Sequence, residues 1–505
     1  MKRVSNANCL SFDLGASGGR AFLGILEDGA LRLKVLRRFP NAPVCSDGRL
    51  RWNVAQLWRQ MRGSLRCCAE GGLARPDSIG ISAWGVDFGL IGRDGELIAD
   101  PLCYRDALTE GMDRRIARNV GRRRLYRLSG RLPDRVSTLT QLMAMRSGGG
   151  AAALAESRAL LMVPDLFRYF LTGEISAERT AAATSQLVGI HTGRWSPTLC
   201  RIAGVPRRIL PSIVNPGTIV GRLTASLSAE TGLEAVPVAA VAGHDSASAA
   251  AAAPHVDPGS AFISCGTWAI LGVHCPKPIL RPAAAKARFV NLFGLESMLF
   301  VKACAGLHLL ECLRRSLAAG DKPVSHARLM DEAAAARPFG VFLDLNAPCF
   351  FSGEAVESNA RRFLRGTGQK SPGRRGALFR AILESVAWSF REAIRDIQDL
   401  IRRPLRRICL MGGGSRNRLL AQMTADATRL EVVAGPAEAT TVGNVLAQTL
   451  AAGKLRSASD FPELVRASFV LRTYRPIDPA AWDREFPRYI DVRRRSIEFA
   501  GDSDE

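Results

Sequence analysis

Pro237-Val238-Ala239-Ala240-Val241-Ala242-Gly243-His244-Asp245-Ser246 is the stretch on which the fold turns. The first six residues are apolar and read as a buried strand, which Gly243 ends. The small residues from Ser246 to Ala253 can then pack closely as a helix. A carboxylate at such a strand-to-helix switch lies at the edge of a cleft, where its side chain is free to take a proton from a ligand hydroxyl. Taken alone, Asp245 could equally cap the helix, and His244 could be an ordinary packed histidine.

The same alternation extends outward in both directions. Cys9 to Phe12 reads as a buried strand, Asp13 to Gly19 as a tight turn, Arg20 to Leu26 as the returning strand and Leu31 to Phe39 as a third. Asn53 to Cys68 has helical spacing, with Leu57, Met61 and Leu65 on one stripe and Asn53 as N-cap. Ile79 to Ser82 is a short buried strand, and Val86 to Ile91 runs to an Asp94-Gly95 turn. Gly111 to Ser129, Ser137 to Arg146 and Ala151 to Leu171 read as helices. The pattern restarts after residue 240: strand Gly259 to Cys265, turn Gly266-Thr267, returning strand Trp268 to Val273. Helices follow at Gly306 to Leu317 and Arg375 to Ile401, then strand Arg407 to Met411, a glycine loop, and helices Asn417 to Ala427 and Glu438 to Ala451. The chain after Phe486, rich in Arg and then in Asp and Glu, reads as frayed. Mixed α/β sheets in two halves, weakly duplicated, are the expected architecture.

The whole-chain composition agrees. A chain of 505 residues exceeds one compact core, so two or more domains are expected. With 47% hydrophobic residues it is a globular composition, and no apolar run is long enough to span a bilayer. The start, Met1 to Asn8, has no signal-peptide core, and the expectation is a cytoplasmic protein with no membrane partner. The 12 cysteines are scattered without C-x-x-C spacing and read as reduced, mostly buried thiols. A formal charge of +22 comes mainly from arginines spread along the chain; aromatics are only 7%. Nucleic-acid proteins concentrate charge and interleave aromatics, so no specific nucleic-acid partner is expected, and attraction to small anions is the better reading.

Three further stretches carry chemistry. In Asp13-Leu14-Gly15-Ala16-Ser17-Gly18-Gly19-Arg20, small residues let backbone amides approach a polyphosphate, Ser17 adds a hydroxyl donor and Arg20 a positive charge. Asp13 would hold Mg²⁺ through water. Ser264-Cys265-Gly266-Thr267 repeats the strand, glycine, hydroxyl order. Gly412-Gly413-Gly414-Ser415-Arg416-Asn417 ends a strand and opens a helix, a place suited to a nucleotide. Neither a dinucleotide fingerprint nor a Walker A loop is present. Trp84-Gly85-Val86-Asp87 combines a stacking face, a glycine and a carboxylate, which suits a sugar; an ordinary hairpin with a buried Trp is the plain alternative.

Taken in order, these motifs resemble the FGGY family of carbohydrate kinases over roughly residues 8 to 475. The resemblance implies two actin-like (ribonuclease H-like) domains with a deep interdomain cleft. The expected divisions are an N-terminal domain over 1–242 on the sugar side, a C-terminal domain over 243–475 on the nucleotide side, and a tail over 476–505. It implies ATP as co-substrate, Mg²⁺ as cofactor, and Asp245 as proton acceptor. ATP would be contacted by Ala16, Ser17, Gly18, Gly19, Arg20, Thr267, Glu311, Gly413, Gly414 and Asn417. The sugar would be contacted by Gly85, Asp87, His244, Asp245, Ser246 and Ala303.

Within the family, Ile81 to Phe88, Tyr104-Arg105-Asp106, His244 to Ala249 and Ala434 to Thr440 resemble the branch that phosphorylates L-rhamnulose on its primary hydroxyl. Alternatives are a fuculose, xylulose or similar sugar or polyol and, outside the kinases, a nucleotide-gated ATPase or binding protein. The chain departs from that branch where the sugar should lie. An expected sugar-binding Asn is Ala303, an expected nucleotide-side Gln is Glu311, the Asn-Glu-Gly-Gly-type loop is Asn291 to Gly294, and Arg131 to Arg135 lacks the usual Gln. A lost hydrogen-bond partner can shift selectivity by orders of magnitude. A monomer or homodimer is expected.

Overall fold

The computed structural model describes residues 5–70, 72, 74–148, 150–317, 324–350 and 354–501. The outer ends of the expected N-terminal domain and tail, 1–4 and 502–505, lie outside these. The chain forms two compact units, each drawn from three stretches. The first comprises Met1–Val256, Val273–Val301 and Glu438–Val470; the second comprises Asp257–Gly272, Lys302–Ala437 and Leu471–Glu505.

The first unit is organised by a six-stranded sheet. Strands Ala7–Gly15, Gly18–Glu27 and Ala30–Pro40 form an antiparallel meander, with Gly15 opposite Gly18 across the two-residue Ala16-Ser17 turn. Ala7–Gly15 then runs parallel to Ser78–Ala83, which runs parallel to Pro237–Ala240, with Thr218–Arg222 antiparallel at the edge. Ser78–Ala83 is buried at every position, as a strand covered on both faces must be. One of its covers is helix Ala439–Ala451, whose polar residues serve the sheet directly. Asn444 donates to Phe12 O and Ser82 Oγ, and Gln448 donates to Leu10 O and accepts from Ser78 Oγ. Helix Val54–Glu70 begins where Asn53 Oδ1 accepts from Gln56 N, as its capping role requires.

The second unit repeats the scheme. Ser260–Cys265 pairs antiparallel with Trp268–Cys275 and parallel with Arg407–Met411, which is parallel to Glu431–Ala434, with Arg472–Tyr474 antiparallel beyond it. A hairpin, two parallel neighbours and an antiparallel edge therefore occur in each unit, which gives the weak duplication in the motifs a topological counterpart.

Three readings of the sequence need correction. Gly111 to Ser129 is two helices, Met112–Val120 and Arg122–Ser129, because Gly121 takes φ 87° between them. Ala151 to Leu171 is helix Ala151–Glu156, strand Ala159–Met162 and helix Val163–Thr172. The Leu-rich strand overrides its helical propensity by pairing with Phe88–Ile91, register Phe88 to Met162. The end of the chain is not frayed within the described residues: Pro479–Gly501 is a helix. Its Trp482 and Tyr489 pack on Trp388 of helix Arg375–Ile401, the tyrosine stacked at 5.3 Å between ring centroids, and Arg391 lies over Phe486. Tyr489→Leu keeps an apolar side chain but loses the stacking, and is expected to lower the unfolding free energy by about 1–2 kcal/mol in a denaturant titration.

Candidate functional site

In open α/β sheets, ligands bind beyond the carboxyl ends of the parallel strands. In the first unit three such ends are joined by backbone hydrogen bonds: Trp84 N donates to Leu14 O at 3.1 Å, and Ala83 N to Gly243 O at 2.8 Å. The motifs Asp13 to Arg20, Trp84 to Asp87 and Gly243 to Ser246 are thereby held side by side, although they lie far apart in sequence.

Asp245 is the first residue of helix Asp245–Ala251, with His244 as its N-cap, and its side chain is one-third exposed. Its Oδ1 accepts from Ser246 Oγ at 3.1 Å and lies 3.5 Å from His244 Nε2. Nδ1 of His244 is buried and has no partner among the described residues, and burial lowers the basicity of the ring. The imidazole therefore presents a neutral, unused hydrogen-bonding atom beside the carboxylate.

Asp13 faces Arg20 across the hairpin. Burial pushes its carboxyl up to about 7; Arg20 opposes this, while the charges of Asp245 and Glu438 add to it. Arg20 is itself paired with Glu438, 2.5 Å from Nη1, and Arg38 reaches the same carboxylate at 3.4 Å. The hairpin thus carries clustered carboxylates and arginines behind an exposed Ser17. A Cβ on Gly19 would lie 2.0 Å from the Phe39 ring, so this glycine is needed for close packing.

Gly85 has no room for a side chain, since a Cβ would lie 2.8 Å from Thr184. Val86 takes φ 72°, a strained conformation for a β-branched residue. It is held there by Thr184 Oγ1, which accepts from its N–H at 2.9 Å, and by Thr138 Oγ1, which donates to its carbonyl at 2.6 Å. Val86→Asn should raise the unfolding free energy by about 1 kcal/mol, because Asn tolerates this backbone region.

Asp87 does not present its carboxylate to a ligand. It is fully buried, and Oδ2 accepts from Trp52 Nε1 at 2.6 Å, Trp84 Nε1 at 3.0 Å and Tyr104 N at 3.3 Å, while Oδ1 accepts from Gln141 Nε2 at 2.8 Å. Burial raises its pKa to about 6 against these four donors. It frames the turn and the tryptophans, which corrects its reading as a direct sugar contact.

In the second unit, Gly266-Thr267 meets the start of the helix His308–Leu317. Leu307 N donates to Gly266 O and His308 N to Thr267 O, and a Cβ on Gly306 would lie 2.6 Å from both carbonyls. Gly412 and Gly414 lean on Cys265: a Cβ on the first would meet its carbonyl at 2.9 Å, on the second its Sγ at 2.6 Å. A Cβ on Gly413 would meet nothing, so this residue faces open space between two packed glycines. Thr267, Gly413 and Gly414 are thus collected at one place by packing.

The other positions expected there are occupied differently. The side-chain oxygen of Asn417 caps helix Arg418–Thr428 by accepting from Leu420 N at 3.0 Å, and its Nδ2 donates to Met330 Sδ at 3.2 Å. Glu311 is tied to Arg314 and Arg315, chiefly by the Arg314 hydrogen bonds, and its carboxyl is held down at about 2. Ala303 is exposed on strand Met298–Ala305 and offers only a methyl group.

Sequence reading missed Glu178, Thr180, Arg131 and Glu438. Glu178 is fully buried and accepts from Gly243 N at 2.9 Å, and Thr180 Oγ1 accepts from His244 N at 3.1 Å. Arg131, near His244, donates to Thr184 O at 3.1 Å. The one local signal was Ser176-Ala177-Glu178-Arg179-Thr180, a carboxylate and a hydroxyl two apart at a helix start.

Comparison with known proteins gives a uniform result. Residues 8–252 match the N-terminal domain and residues 261–452 the C-terminal domain of the FGGY family of carbohydrate kinases. The chain is 38% identical to a rhamnulokinase from Bacteroides thetaiotaomicron, over 96% of this chain and 99% of that protein. It is 34% identical to a rhamnulokinase from Pectobacterium carotovorum, over 93% of each. Gluconate kinase from Lactobacillus acidophilus shares the fold with a TM-score of 0.81 at 14% identity, covering 97% of this chain and 98% of that one. The two units have the actin-like folds expected, and the chain belongs to the FGGY family of carbohydrate kinases, as an ATP-dependent sugar kinase.

Proposed function

We propose that the chain transfers the γ-phosphoryl group of ATP to the primary hydroxyl of L-rhamnulose, giving L-rhamnulose 1-phosphate, in the cytoplasm. The observation that carries the chemistry is the placement of Asp245: a partly exposed carboxylate at a helix start, with the neutral His244 ring beside it and the Gly85 turn bonded to the same loop. Asp245 would orient the attacking hydroxyl and accept its proton, and His244 Nδ1 and the Gly85 backbone would bind sugar oxygens. In the first unit, amides and the hydroxyl of Ala16 to Gly19 would bind phosphate oxygens of ATP. The identity of the sugar draws its support from the two relatives, both rhamnulokinases over more than nine-tenths of the chain.

Mg²⁺ fits the first unit. Asp13 is a hard oxygen donor whose ionised form is penalised by burial and by the charges of Asp245 and Glu438, and a cation would offset that penalty. Asp13 would hold the ion, with Asp245 near it, and the ion would neutralise charge on the phosphates. Among the described residues no group of three or more His, Cys, Asp and Glu side chains could hold a metal by itself. No helix among them is long and apolar enough to cross a membrane.

A specific observation favours a second reading within the kinases, another ketose or polyol: the exposed methyl of Ala303 replaces a hydrogen-bonding side chain of the L-rhamnulose branch. ADP release measured with Mg-ATP against a panel of ketoses and polyols decides between them. Preferred turnover of L-rhamnulose supports the first, preferred turnover of another acceptor replaces the sugar, and ADP release independent of any acceptor sinks both.

A further inference from the structure

Helix Arg179–Thr184 is short, but both of its ends are bonded to the candidate site. At its start, Glu178 is fully buried and accepts four hydrogen bonds: from Thr180 N at 2.8 Å, Thr180 Oγ1 at 2.6 Å, Ala181 N at 3.0 Å and Gly243 N at 2.9 Å. Thr180 Oγ1, having donated to Glu178, accepts from His244 N at 3.1 Å. Two successive amides directly before Asp245 are therefore fixed by one Glu–Thr pair. The pair is braced from behind, where Glu178 N donates to Asp165 Oδ1 at 3.1 Å and Asp165 is paired with Arg168 at 2.7 Å, both buried.

At the far end of the same helix, Thr184 accepts from Val86 N through Oγ1, accepts from Arg131 through its carbonyl, and fills the space a side chain on Gly85 would take. Thr180 and Thr184 are four residues apart and so lie on one face of the helix. Their roles differ: one holds the loop that carries the base, the other holds the strained turn of the expected sugar contact.

From this juxtaposition we infer that helix Arg179–Thr184 is the spacer that sets the distance between base and sugar. Glu178 and Thr180 are positioning residues for Asp245, and Thr184 is the positioning residue for the Gly85-Val86 turn. The inference rests on the reading of Asp245 as the base of a sugar kinase. It predicts opposite kinetic signatures from two residues one helical turn apart, which loss of fold would not produce.

The test is steady-state kinetics of the full chain with Mg-ATP and the acceptor that the unaltered chain turns over fastest, L-rhamnulose being expected. Displacement of a reacting group by a fraction of an ångström lowers rate rather than affinity, so Glu178→Gln and Thr180→Val should each reduce kcat about tenfold with sugar KM within about threefold of normal. Thr180→Ser keeps the hydroxyl and should restore kcat to within about threefold. Thr184→Val leaves Val86 N without an acceptor and should raise sugar KM about tenfold with a smaller change in kcat. Unchanged kcat in Glu178→Gln, or equal losses in Thr180→Val and Thr180→Ser, would overturn the inference. So would a fall in kcat, without a rise in KM, for Thr184→Val. Asp245→Asn in parallel keeps the two levels apart: if it retains turnover, the base is misassigned and the inference falls with it. If it is inactive while the Glu178 and Thr180 variants behave normally, only the inference fails.

Discussion

Asp245→Asn is expected to lower sugar-dependent ADP release about 10³-fold, within the range that general bases supply, while the protein stays folded and binds ATP. The amide is nearly isosteric with the carboxylate. It can still accept from Ser246 Oγ at the place where Asp245 Oδ1 does, so the helix start should not move. What it cannot do is take the hydroxyl proton. Asp245 adds to the burial that raises the pKa of Asp13, so removing its charge relieves one repulsion, which offsets the loss of a carboxylate at the helix N-terminus. A melting temperature within about 3 °C of that of the unaltered chain, ATP binding by calorimetry within about threefold, and turnover at the 10⁻³ level would together mark a chemical defect. Turnover within about tenfold of normal would show that proton transfer does not pass through Asp245.

How much of this was legible in the sequence follows from how local each feature is. Hairpins, glycine loops and the Gly243-His244-Asp245 switch were read correctly because a strand, a tight turn and the next element declare themselves within about ten residues. The pair Arg20–Glu438 was not, because its partners are 418 residues apart. Nor was the attachment of helix Ala439–Ala451 to the sheet of the first unit: Asn444 and Gln448 look like ordinary polar helix residues until Phe12 O, Ser82 Oγ and Leu10 O are placed beside them.

Asp87 shows the converse error. A carboxylate beside a tryptophan and a glycine has the composition of a sugar site, yet burial without four donors would be costly, and the structure supplies those four donors internally. At the C-terminal helix a usable signal was overlooked. Trp482, Phe486 and Tyr489 fall at i, i+4 and i+7, an apolar stripe that continues into the arginine-rich segment whose charge suggests fraying.

The Ala303 departure is expected to bear on specificity rather than on catalysis. Ala303 and Glu311 lie in the second unit, whereas Asp245, His244, Gly85 and Asp13 all lie in the first. The substitutions at Ala303 and Glu311 therefore leave the groups expected to move the proton and bind the cation unchanged, whereas the departures at Arg131 to Arg135 and Asn291 to Gly294 lie in the first unit with them. Each departure removes or redirects a polar side chain: Ala303 has none, and Glu311 is spent on Arg314 and Arg315. A sugar hydroxyl left facing Ala303 discriminates by the cost of its lost partner, about 1–3 kcal/mol. A different acceptor is thus compatible with unchanged Asp245, His244, Gly85 and Asp13.

The helix that opens with Asp245 owes its position to a glycine outside every motif, and Gly443→Ala is the substitution expected to do most damage without touching a ligand. Gly443 lies inside helix Ala439–Ala451, where alanine would ordinarily be better by about 1 kcal/mol. Here a Cβ would lie 1.8 Å from the carbonyl oxygen of Ser248, in helix Asp245–Ala251. Carbon–oxygen contacts settle near 3.3 Å, so the two helices would have to separate by roughly 1.5 Å. The obstacle is backbone, which no rotamer change can withdraw. Separation would also strain the bond from Ser248 Oγ to Thr440 O, 2.8 Å, and the contact of Thr440 Oγ1 with Asp245 O, 3.5 Å. Overpacking of about 3 kcal/mol then outweighs the propensity gain, leaving a net loss of about 2 kcal/mol. In a unit of this size that corresponds to a melting temperature lower by about 3 °C. Because the helix that moves begins with Asp245, a displacement of this order should also lower kcat about 100-fold. Ser248→Gly added to Gly443→Ala should rescue neither quantity, since it removes the hydroxyl and leaves the carbonyl in place. If Gly443→Ala melts and turns over normally, the two helices are free to part, and the packing account of the position of Asp245 is wrong.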